Sequence, residues 1–90
     1  MDLRVIFAAN LRRLRNAKGV PQDTLAYEAG VSRSYLSQLE TGKFYVSLKI
    51  VGKLSHALDV EPAEFLRLPQ GHAHRPAVTS GRERNKSTRK

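Results

Sequence analysis

QDTLAYEAGVSRSYLSQLET, residues Gln22 to Thr41, is the stretch on which the reading of this chain turns. It divides into two short helical segments around Gly30, a residue suited to the left-handed conformation that closes a helix. Ser32, two positions later, is placed to cap the next helix through its hydroxyl, so the connection between the two helices is very tight. Ala26 falls on the inner side of the first segment, where a small side chain admits a close neighbour. Leu25, Ala29, Val31, Leu36 and Leu39 fill the wedge between the segments. At about 100° per residue, Arg33, Ser37, Ser34 and Gln38 occupy one continuous arc of the second segment, and Tyr35, Leu39, Leu36 and Glu40 occupy the other.

A polar arc of one Arg, one Gln and two Ser has two readings. It is either a solvated helix face or a set of groups matched to base edges, since Arg pairs with guanine, Gln with adenine and Ser with either. Two features favour the second: the arc carries no Asp or Glu, and Ser32 sits at a helix start whose free N–H groups attract phosphate.

Outward from this stretch the chain continues as helices. On the N-terminal side, Leu3, Phe7, Leu11 and Leu14 recur at spacings of four and three and predict helix one from Leu3 to about Lys18, ended by Gly19. Pro21 then suits the first position of helix two, where its missing N–H is not needed. On the C-terminal side, helix three runs from Arg33 to Glu40 or Thr41 and stops at Gly42, followed by the loop Lys43 to Val46. Ser47 caps helix four, with Leu48, Val51, Leu54 and Leu58 as its expected apolar face, and Pro62 opens a short helix five bearing Phe65 and Leu66. The expectation is an all-α domain of five helices over residues 1–68. Beyond it lies a basic tail, 69–90, with Val78 as its single large aliphatic residue, a composition that predicts disorder.

From Leu11 to Leu66 the chain resembles the lambda-repressor-like, Xre-type helix-turn-helix family. The matching text is LRRLRNAKGVPQDTLAYEAGVSRSYLSQLETGK followed by SLKIVGKLSHALDVEPAEFL. The resemblance implies a transcriptional regulator, most often a repressor, that binds double-stranded DNA as a homodimer on a near-palindromic operator. It puts Gln22 against a phosphate, steadying its neighbours, and gives Ser32, Arg33, Ser34 and Gln38 recognition-helix contacts, to which the polar arc adds Ser37. It also implies that Arg15 pairs with Glu40 as a structural ion pair. Some relatives, including regulators that accompany restriction-modification systems, start this helix with Arg-x-Tyr. Tyr35 is then open to two roles, contact with the DNA backbone or a thymine methyl, or packing. Lys43 is a candidate phosphate contact. Two departures stand out: Pro21 replaces the usual capping side chain, and Lys43-Phe44-Tyr45-Val46 lacks the proline common before helix four. Phe44 and Tyr45 remain open to packing, DNA or a partner.

Composition narrows the alternatives. The chain of 90 residues carries a net charge of +8 and no cysteine. Disulfides and thiolate metal sites are thereby excluded, and polyanions are favoured partners. The charge is uneven: residues 1–68 hold ten basic and seven acidic side chains, the tail six and one. Arg75, Arg82, Arg84, Lys86, Arg89 and Lys90 either add sequence-independent attraction to phosphate or maintain solubility. His56, His72 and His74 do not assemble a metal site, no phosphate-binding loop is present, and no serine has a histidine placed to activate it. Neither cofactor nor catalysis is expected. No apolar run is long enough to span a bilayer and the start does not read as a signal peptide, so a cytoplasmic, nucleoid-associated protein is expected. The competing reading is a protein-interaction module on the same fold, such as an antitoxin holding a toxin.

Overall fold

The computed structural model describes residues 1–69; the basic tail inferred from composition, with His72, His74 and Val78, lies outside them except for Pro69. Four α-helices and a 3-10 helix follow one another: α1 (Leu3–Ala17), α2 (Gln22–Ala29), α3 (Arg33–Glu40), α4 (Leu48–Leu58) and the 3-10 helix Pro62–Leu66.

The helix ends follow from single residues. Asp2 caps α1 by accepting the Arg4 N–H at 3.0 Å, Ser32 caps α3 by accepting the Tyr35 N–H at 3.0 Å, and Ser47 caps α4 by accepting the Ile50 N–H at 3.2 Å. Each satisfies a donor that a helix start leaves free. Pro21 is itself the N-cap of α2, one position earlier than the sequence suggested, and offers no side-chain cap. Gly30 closes α2 at φ +72°, and its N–H and that of Val31 return to the carbonyls of Tyr27 and Ala26. A side chain there would incur left-handed strain.

The core is one cluster: Phe7, Leu11 and Leu14 from α1, Leu25, Ala26 and Ala29 from α2, Leu36 and Leu39 from α3, Leu54 and Leu58 from α4, and Phe65. The wedge of α2 and α3 therefore closes on α1 and α4 instead of standing alone. Ala26, 2% exposed, sits where α2 and α3 meet the rest of the core.

Two expectations are corrected. The fifth helix is a 3-10 helix, with Glu64 N–H bonding Glu61 O at 2.9 Å and Arg67 N–H bonding Glu64 O at 3.4 Å. Five residues starting at a proline are too few for α-helical bonding to establish itself. The side chain of Asn10, 7% exposed, donates to Phe65 O at 2.9 Å and to Arg67 O at 2.8 Å, taking up carbonyls at the end of the segment. The second correction concerns Leu48, which is 87% exposed and takes no part in the buried face of α4; Leu54 and Leu58 do, with Val51 half-buried. Leu48 is the first helical residue, and the buried side of the helix begins a turn later. Leu3, the first residue of α1, is likewise half exposed.

Candidate nucleic-acid interface

The outward face of α3 is built by its cap and by its one acid. Ser32, Arg33 and Ser34 are exposed, Ser37 and Gln38 are half-buried, and Leu36, Leu39 and Glu40 are buried. The arc of Arg33, Ser34, Ser37 and Gln38 thus shares one accessible side of a helix whose other side is in the core.

Glu40 is 4% exposed and is the only carboxylate of α3. The Arg15 guanidinium meets it side-on, Nε to Oε2 at 2.5 Å and Nη2 to Oε1 at 3.1 Å, while Arg15 Nη1 donates to Val20 O at 2.9 Å. Two parallel bonds of this kind are stronger and more directional than a single one. The hydrogen bond that Arg15 donates to Glu40, ahead of an opposing effect of burial, holds the Arg15 guanidinium more firmly protonated than an isolated arginine. The Gln22 amide donates to Glu40 Oε1 at 3.0 Å, and Arg12 donates to the Glu40 carbonyl at the end of α3. Arg12, Arg15 and Gln22 therefore converge on one residue and tie α1 and the start of α2 to the end of α3. No acidic charge is left on the outer side of α3.

Lys43 is exposed in the loop after α3, and its N–H bonds Gln38 O at 3.1 Å. Gly42, at φ +77°, packs against the backbone of α1, where an added Cβ would stand 3.6 Å from Arg4 O. The loop is thereby fastened to both α3 and the start of α1.

Several contacts in this region carry no signal in the sequence. Tyr35 is half-buried against the core, and its ring stacks on that of Phe44 with centroids 6.3 Å apart and planes at 19°. Tyr45 lies beneath the Arg4 guanidinium at 5.0 Å, and Arg4 is also paired with Asp2 at 2.9 Å. Both pairings depend on the path of the loop, which no periodicity predicts. His56 is exposed on α4, and among the described residues no cluster of His, Asp and Glu could hold a metal ion. No helix among the described residues is long and apolar enough to cross a membrane.

A helix-turn-helix family model matches residues 11–65, which takes in α2, the turn and α3. The crystal structure of the restriction-modification controller protein C.AhdI from Aeromonas hydrophila is 48% identical, with a TM-score of 0.67 over 69% of this chain and 94% of that one. Control protein C.BamHI of Bacillus amyloliquefaciens is 36% identical over 66 residues, 72% of this chain and 82% of its own length. A hypothetical transcription factor of Neisseria meningitidis serogroup B is 36% identical over 69 residues, covering 77% of this chain but 65% of that relative. With the motif matched in sequence and its geometry intact, the chain belongs to the lambda-repressor-like (Xre-type) helix-turn-helix family of DNA-binding transcriptional regulators.

Proposed function

We propose that the protein is a repressor that reads a near-palindromic operator as a homodimer, with α3 in the major groove of each half-site. One observation carries the proposal: the accessible side of α3 presents Arg33, Ser34, Ser37 and Gln38, while its only acid, Glu40, is turned inward and neutralised by Arg15. An α-helix fits the major groove, and these side chains match the donor and acceptor patterns there. Arg33 and Gln38 are the principal base readers, Ser34 and Ser37 accessory ones. Ser32 at the start of α3 and Lys43 in the following loop hold phosphates, and Gln22, bonded to Glu40, presents the first turn of α2 to the backbone.

The dimer uses an apolar groove of about 320 Å³ between the start of α1, the loop after α3, α4 and the 3-10 helix. Leu3, Phe44, Tyr45, Leu48 and Leu66 line it, all exposed in the single chain. Leu66 lines this groove with Leu48, whereas Leu68 lies in a separate patch with Met1, Val5 and Ile6. The likeness to restriction-modification control proteins supports a regulatory role of this kind.

Selection of binding sites from a random duplex pool tests the proposal. The expected product is an inverted repeat bound by two protomers, with half-site centres about 34 Å apart. Recovery of no sequence motif would point instead to the protein-interaction reading, and a motif bound by one protomer would remove the dimer.

A further inference from the structure

Tyr35 packs against the core, whereas Phe44, stacked on it, is not part of the core. Tyr35 is three residues before Gln38, about 60° from it around the helix axis, and so borders the polar arc. Phe44 continues that border from the loop. It is 42% exposed; the backbone just before it is tied to the end of α3, and its ring has Tyr35 as a stacking partner. The Lys43 N–H bonds Gln38 O at 3.1 Å, the Gly42 N–H bonds Leu39 O at 3.2 Å, and the ring stacks on Tyr35. In the single chain the ring is thus partly exposed next to Tyr35, where an apolar group of a bound duplex can cover it. The major-groove edges of the four base pairs offer one such group, the 5-methyl of thymine.

We infer that Phe44, held by its stack on Tyr35, is a specificity-determining residue that reads a thymine methyl beside the base contacted by Gln38. The inference rests on the reading of α3 as the major-groove helix. It assigns to Phe44 a contact that is hydrocarbon on both sides, so it discriminates thymine from cytosine and from uracil without a hydrogen bond. Phe44 also lines the apolar groove assigned above to the dimer; for this side chain the inference replaces that role, leaving the groove to Leu3, Leu48 and Leu66, and the test separates the two.

The experiment uses the operator obtained by selection, with each thymine replaced in turn by deoxyuridine, and binding of the full chain followed by fluorescence anisotropy at fixed salt. Removing one methyl from the wild-type complex is expected to weaken binding about fourfold per half-site, the scale of one buried methyl-sized group. At the same position Phe44→Ala is expected to bind thymine and uracil duplexes equally, and Phe44→Leu to retain part of the preference. Circular dichroism confirms that each variant is folded; the scan on wild type stands even where Phe44→Ala is not.

Indifference of the wild type to every methyl, or a preference that persists in folded Phe44→Ala, overturns the inference. So does a loss in Phe44→Ala that is equal on both duplexes and accompanied by dissociation to monomers, which makes the residue an interface residue alone. Failure of the underlying reading is recognised separately, because Gln38→Ala and Arg33→Ala would then leave sequence preference intact.

Discussion

Glu40→Ala is expected to lower the free energy of unfolding by about 3–5 kcal/mol, because it removes one partner of a buried pair and leaves the other charged. The Arg15 side chain is 15% exposed and keeps its bond to Val20 O, so the loss should fall near the lower end of that range. Gln22 loses its acceptor in the same variant. Urea denaturation checks the outcome: the midpoint falls while the slope stays constant. Replacing both Arg15 and Glu40 by apolar residues of similar volume should recover much of the loss, since the desolvated charge is then absent. If Glu40→Ala unfolds at the wild-type midpoint, the pair does not brace the domain.

Phe65→Ala should be equally damaging, at about 3–5 kcal/mol for a fully buried phenylalanine. Its ring is 0% exposed and lies 5.3 Å from that of Phe7, centroid to centroid. The 3-10 helix packs against both α1 and α4, so the cavity opens where three elements meet. A loss of that size is a large fraction of the ~5–15 kcal/mol that stabilises a typical domain. Thermal unfolding followed at 222 nm provides the check; a melting temperature within a degree or two of wild type would mean that the segment is dispensable for the core.

Much of the fold was legible because it rests on local chemistry. Gly30, Ser32 and Ser47 each do one thing that their residue type dictates, and Phe7, Leu11 and Leu14 mark the buried side of α1 by spacing alone. Pro62 marked the start of a helical segment, but proline opens a 3-10 helix as well as an α-helix. The shortness of the segment favours the 3-10 form, and its last carbonyls, Phe65 O and Arg67 O, accept from Asn10, 55 and 57 residues away, a contact no local pattern foretells. Leu48 shows a second limit. Its spacing to Val51 fits a buried stripe, yet the first residue of a helix can project beyond the elements packed against the rest of it.

At the site, the polar arc of α3 was legible from angular position, because that depends only on helix geometry. The partner of Arg15 was not. The carboxylate lies 25 residues along the chain, and only the resemblance to a known family singled out Glu40. The Tyr35–Phe44 stack and the Arg4–Tyr45 contact were out of reach for the same physical reason. Each joins a helix to an irregular loop whose course is set by Gly42 and by tertiary contacts.

The central claim is that α3 reads base edges, and discrimination by Arg33→Ala and Gln38→Ala tests it most directly. Affinity is measured at one salt concentration for the operator, for its single base-pair variants and for unrelated duplex DNA. Each substitution is expected to cost about 1–3 kcal/mol on the operator and to abolish preference at one base pair per half-site, leaving affinity for unrelated DNA nearly unchanged. An equal loss on every duplex would make these side chains phosphate contacts and contradict the account.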